Sequence, residues 1–258
     1  MKRSLFELVT FAWIALALLG LIWTPYDPQA QSFRELSLMG FSKLHWLGVD
    51  GLGRDMLSRV WRGSGNTVLL GLAASMGTLC FSAVLLFLEQ KGPILLKKLI
   101  RGLVSVGISL PVLFLGLILL VFLERSPSTL VLAAALGGVP FGFRQLRIVW
   151  VEQKGALYVM ASKALGSDGR HMVFFTIWPN IKGQVVSLGK ILFAVGILEL
   201  SGLTFLGLMG DPDFAELGTI LRQNQAYLFL QPSLVVWPGI LLSGLLLMVH
   251  LSNIKTKS

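Results

Sequence analysis

Charge is what this chain has least of. Only 14% of its 258 residues are charged, 54% belong to the hydrophobic set, and the mean hydropathy is +0.76. Soluble domains carry about 25% charged residues, so a water-facing globule is excluded. Cys80 is the single cysteine, which excludes an intramolecular disulfide and any Cys-based zinc site. The histidines, His45, His171 and His250, lie far apart, and none has a His-x-x-x-His or Glu-x-x-His partner. No metal site is expected. No Gly-x-x-x-x-Gly-Lys-Ser/Thr loop occurs, so the chain cannot cradle ATP in that way. No Gly-x-Ser-x-Gly occurs either, and the missing cluster of His and acids argues against a membrane enzyme.

What the chain does have is long uncharged runs. Residues 8–26 approach the 20 or so needed to cross a bilayer core. The run is long for a signal peptide and no clear Ala-x-Ala site follows it, so we read a retained first helix with Trp23 and Tyr26 near the interface. Further spans are expected at 63–88, at 102–123 with a kink at Pro111, and at 126–143. In the last of these Gly137-Gly138-Val139-Pro140 should break or bend the helix. A fifth run covers 185–209 and a sixth 232–251. The reading is an all-α membrane protein of six transmembrane helices in one domain, residues 1–258.

The net charge of +9 lies between the apolar runs, which fits membrane topology better than a nucleic-acid surface. Six spans put both termini on one side. Fifteen Lys and Arg fall on that side and seven on the other. The excess places the termini and the 151–182 loop in the cytoplasm, and the 27–62 loop outside.

Residues 151–182 form the longest polar segment on the basic side. Tyr158, Ala161, Ser162 and Leu165 recur at i, i+3, i+4, i+7, one face of a short helix. Gly166 can end that helix because it tolerates positive φ. Ser167 or Asp168 can cap a second helix, which Pro179 would end or kink. The loop reads as helix–turn–helix, sized to plug into a groove on another protein, or else as an ordinary solvated connector. At the end of the 27–62 loop, Asp50 and its glycines suit a turn. Met56, Leu57 and Val60 suit a short amphipathic helix, and Arg54, Asp55 and Arg59 can pair with one another or with a neighbouring chain. A solvated start of a helix is the plainer reading. Glu199 is the one acid well inside a span, a functional candidate by default. Lys190, nine residues earlier, is half a turn out of phase with it at 100° per residue, and snorkelling to the interface explains it as well.

Three stretches carry a resemblance. Residues 45–59 (HWLGVDGLGRDMLSR) resemble the motif before the second helix in permeases of dipeptide, oligopeptide and nickel ABC importers, specifically their C-type subunit. Residues 158–180 (YVMASKALGSDGRHMVFFTIWPN) are similar to the coupling loop of that family: Glu-Ala-Ala, three residues, Gly, then about ten residues to Ile-Leu-Pro. Residues 203–208 (LTFLGL), with Pro232 and Trp237-Pro238-Gly239 beyond, make the third match. The matches run in order over most of the chain.

The resemblance implies a type I ABC importer (MetI-like) permease of the bacterial inner membrane. A second permease subunit would complete the translocation path as a heterodimer. Two cytoplasmic ATPases carrying ATP and Mg would drive it, and an external substrate-binding protein would deliver cargo. This chain would need no cofactor and perform no hydrolysis. Met160, Ala161, Ser162, Leu165, Gly166, Ser167 and Pro179 would form the ATPase-coupling element, and Asp50, Gly53, Arg54, Asp55 and Arg59 the external motif. Met160 stands where the family has Glu, Ser162 replaces the second Ala, and Trp178 replaces Leu. The family's acid before Ser-Phe-Leu-Gly falls at Leu200, one position from Glu199. Peptides are the first expectation for cargo, with nickel or a metal chelate second. A secondary transporter using Glu199 and Lys190 is the alternative, and no inverted repeat supports it.

Overall fold

A computed structural model describes the backbone of residues 2–254 and side chains within 8–252. The expected Lys255 and Lys257 lie outside the described residues. The chain is all-helical, and no β-strand is described. Four helices are long and apolar enough to cross a membrane, and a bent pair can form a fifth span. The apolar part of the first helix, Leu8–Leu19, falls short of a full span, so the described residues give at most five spans against the six expected.

Helix α1 (Lys2–Leu19) ends well before the expected Tyr26. Gly20 lies against α2 so closely that a Cβ there would meet Trp61 O at 2.3 Å. Trp61 Nε1 donates to Leu16 O at 2.9 Å, and Arg62 donates to Leu21 O. Donors from α2 thus take up carbonyls that another turn of α1 would have used. Helix α2 (Met56–Lys91) begins seven residues before the expected 63. Asp55 caps it, accepting from Ser58 N at 2.8 Å, so the separate amphipathic helix expected at 56–60 is its first two turns. At 36 residues it is about 54 Å long at 1.5 Å per residue.

The basic connector is itself helical, in α3 (Ile94–Ser109). Leu110 and Pro111 separate it from α4 (Val112–Val121) with a bend of 105°, far sharper than a kink. Proline has no N–H to offer the preceding turn and holds Leu110 extended. Helix α5 (Pro127–Lys154), by contrast, runs unbroken through Pro140. Two of its glycines serve close approach to α2: a Cβ on Gly138 would lie 3.0 Å from Thr78 Oγ1, and one on Gly142 2.6 Å from Ser82 Oγ. The Thr78 hydroxyl lies 2.9 Å from Ala135 O.

After α6 (Leu157–Ala164) and the turn α7 (Gly169–His171), a π-helical segment, Met172–Ile177, leads straight into α8 (Trp178–Phe205). Pro179 therefore ends nothing. Trp178 N–H reaches back five residues to Val173 O, and this wider turn accommodates a ring that would crowd a regular one. The expected 210–231 loop contains a buried helix, α9 (Leu217–Asn224), and α10 (Ser233–Ile254) closes the fold.

Pairs across the bundle set its polarity. Thr78 meets Ala135 and Arg147 meets Glu89, so α2 and α5 run parallel. Helix α8 returns antiparallel, bringing Ser201 and Thr204 level with Thr67. Residues 27–55 and 210–231 thus share one end and α6 the other. Leu69, Met76, Phe81, Val84, Leu103, Val106 and Phe114 face outward and are exposed. Such a surface is suited to hydrocarbon, with the helices satisfying their own backbone groups.

Candidate coupling and anchoring sites

At the α6 end, the expected helix, glycine and cap are brought together. Gly166 has φ +82°, a conformation that costs a residue with a Cβ and not a glycine. A Cβ there would meet nothing within 4 Å, so the demand is on backbone angle alone. Asp168 caps the next turn, accepting from His171 N at 2.7 Å. Ser167 does not cap: its hydroxyl accepts from Ser162 Oγ at 2.9 Å, and Ser162 also lies 3.2 Å from Thr176 Oγ1. The expected Ser162 and Ser167 therefore brace the turn from inside.

One side of this unit is anchored. Val159, Ile177 and Ile181 form a small core with Val149, Trp150, Ala156 and Met172. The other side is bare. Leu165 is 87% exposed, Leu157 83% and Met160 59%, and Ala161 is exposed too. Phe174, Phe175 and Trp178 add to this surface, and Pro179 is exposed beside them. A rigidly mounted apolar projection at a polar end of a bundle is suited to burial against another protein.

The residues at the other end, read either as pairing with one another or a neighbouring chain or as a solvated start of a helix, are buried. Asp50, Arg54, Asp55 and Arg59 are each at most 1% exposed. Arg54 Nε donates to Asp50 at 2.7 Å, Nη1 to Asp213 at 2.7 Å and Nη2 to Gln223 at 2.9 Å. Arg59 donates to Pro28 O at 3.0 Å and Gln223 at 2.9 Å, and its Nε lies 3.6 Å from Asp50. His45 Nδ1 is 2.8 Å from Asp55. Gly53, at φ +81°, sits where a Cβ would meet Arg34 N at 2.6 Å. The motif is thus a buried, paired knot fastening residues 27–59 to the 210–231 segment, and the solvated reading is overturned.

Sequence reasoning passed over Glu216. It is fully buried, and its carboxylate accepts from Thr67 Oγ1 at 3.0 Å, Ser201 Oγ at 2.7 Å, the Thr204 hydroxyl and Thr219 N at 3.1 Å. It ties α2, α8 and α9 together. The one available signal was an acid three residues before Thr219, the spacing of an N-cap. Glu199 is the contrast. It is 3% exposed and neither oxygen has a hydrogen-bond partner. It occupies space left by two glycines: a Cβ on Gly137 would lie 2.5 Å from Glu199 Oε1, and one on Gly116 3.2 Å. No ion pair joins it to Lys190 among the described residues.

Comparison with known proteins gives these two ends a family. The family described as "Binding-protein-dependent transport system inner membrane component" matches residues 86–253. The dipeptide transport system permease protein DppC of Haemophilus influenzae is 29% identical over 232 residues, 88% of this chain and 79% of that one. The di/tripeptide transport system permease DppC of Pseudomonas aeruginosa is 30% identical over 222 residues, 84% of this chain and 73% of its own. The nickel transport system permease NikC of Escherichia coli is 28% identical over 246 residues, 91% and 86% of the two chains. With its all-helical, multi-pass architecture, the chain belongs to the inner-membrane permease family of binding-protein-dependent ABC importers.

Proposed function

We propose that this permease is coupled to a cytoplasmic ATPase through residues 151–182. The observation that carries the reading is the Gly166 turn, which mounts Leu157, Met160 and Leu165 outward on a small anchored core. In this reading a second, unlike permease subunit completes the path. Two ATPase subunits holding ATP and Mg supply the energy, and a substrate-binding protein delivers cargo at the knotted end. The α6 end and both termini are cytoplasmic, and residues 27–62 face outward across the bacterial inner membrane. Peptides are the proposed cargo, supported by the dipeptide permeases among the relatives. The nickel permease among them supports a metal chelate as the second reading.

Two measurements test this. In a Cys80→Ser background, an impermeant thiol reagent on intact cells should label Lys43→Cys and spare Lys154→Cys; the reverse pattern overturns the orientation. The purified chain should show no ATP hydrolysis, whereas the complex reconstituted with its ATPases should. Robust hydrolysis by this chain alone would sink the coupling reading.

A further inference from the structure

The α6 end holds a second feature, which borders the 151–182 segment and shares Val151 and Lys154 with it. Where α2 gives way to α3, the Glu89 carboxylate is 1% exposed. Its Oε1 accepts from Arg101 Nε at 2.6 Å and from Arg147 Nε at 2.9 Å. One buried oxygen thereby fixes two guanidinium groups through their inner nitrogens, and their terminal nitrogens are left out of that contact. Both arginines keep substantial exposure, 54% and 36%.

These two arginines, with Lys97 and Lys154, line a cleft of 460 Å³ between α2, α3 and the end of α5. Four cations and one carboxylate leave a surplus of three positive charges in one concavity. Like charges this close repel, and an anion with several acceptor oxygens relieves that repulsion while using the free donors. Arginine forks and lysine points together suit phosphate.

The rim identifies the source of that phosphate. Val151 on α5 lines the cleft and is exposed, and Phe87, Leu88, Ile94 and Leu95, each within three residues in sequence of the lining Glu89 or Lys97, are exposed apolar side chains too. Val84 on α2 and Leu99 and Leu103 on α3 are exposed and apolar as well. A soluble phosphate or nucleotide has no use for such a rim, whereas a phosphate joined to acyl chains uses both parts. We propose that this cleft binds the headgroup phosphate of an anionic phospholipid at the membrane surface, with its chains lying along α2 and α3.

The test is lipid retention by the whole importer complex. Complexes in nanodiscs of phosphatidylcholine with phosphatidylglycerol are released into the gas phase and weighed by native mass spectrometry. Phosphatidylglycerol should be retained in preference to phosphatidylcholine. Lys97→Gln with Lys154→Gln, neither of which touches buried Glu89, should weaken that retention about 30-fold, the effect of removing two basic groups near an anionic headgroup. Equal retention of the two lipids, or unchanged retention by the double variant, overturns the proposal. Displacement of phosphatidylglycerol by inorganic phosphate at matched concentration also overturns it, in favour of a soluble anion. Loss of the ATPases with lipid retention intact overturns it in favour of a protein contact.

Discussion

The two polar ends of this bundle treat their side chains in opposite ways. At one end, residues 45–59 turn Asp50, Arg54, Asp55 and Arg59 inward and pair them with His45, Asp213 and Gln223. At the other, residues 157–178 turn Leu157, Met160, Leu165 and Phe175 outward with nothing over them. Each inverts the usual rule of apolar inside and charged outside. Buried charges held in ion pairs fasten segments far apart in sequence. Exposed apolar groups on a rigid mount add little to the fold. One end is held together from within, and the other, in the proposed reading, is the end that docks.

Breaking the first half of that comparison should have the largest effect. Arg54→Ala removes the closer cation from buried Asp50, leaving Arg59 Nε at 3.6 Å, and cuts the bond to Asp213 and one of two bonds to Gln223. Removing one partner of a buried pair costs about 3–5 kcal/mol, so the thermal midpoint in detergent should fall steeply and expression with it. A midpoint unchanged from wild type would mean that the knot does not hold the two segments. Glu216→Gln should cost less, about 1–3 kcal/mol, because the amide turns one acceptor into a donor facing hydroxyls and an amide N–H. Chemical unfolding of the two variants should rank them in that order. Met160→Glu, on the exposed face, should change stability by no more than about 0.5 kcal/mol, whereas association with the ATPases should shift. Association strengthens where the groove still offers a basic group and weakens where a carboxylate is buried unpaired. Unchanged association in a pull-down would place Met160 outside the contact.

Much of the docking end was legible in the sequence, because its determinants are local. Helical spacing from Tyr158 to Leu165, a glycine after it and Asp168 as cap are all written within a dozen residues. The anchoring end was legible only as a list of charges. Whether Arg54 is solvated or buried depends on Asp213 and Gln223, some 160 residues away, and no periodicity reports such a pairing. Proline misled for the same reason. Pro111 breaks a span by 105° while Pro140 and Pro179 leave theirs continuous. The difference lies in what surrounds each ring: Gly107 of α3 makes room for the Pro140 ring, and a π turn precedes Pro179. Glu216 was hidden in a segment that reads as loop because the hydroxyls that satisfy it come from two distant helices, α2 and α8.

The central claim is that the Gly166 turn transmits ATPase action, and transport by Gly166→Val tests it most directly. A β-branched residue at φ +82° strains the backbone by about 1–3 kcal/mol, without meeting any neighbouring atom. That strain re-aims α6 and leaves the membrane helices in place. In proteoliposomes containing the full importer, the variant should insert normally, bind its ATPases more weakly and lose ATP-driven uptake. Uptake equal to wild type would contradict the account and reduce residues 151–182 to a link between helices.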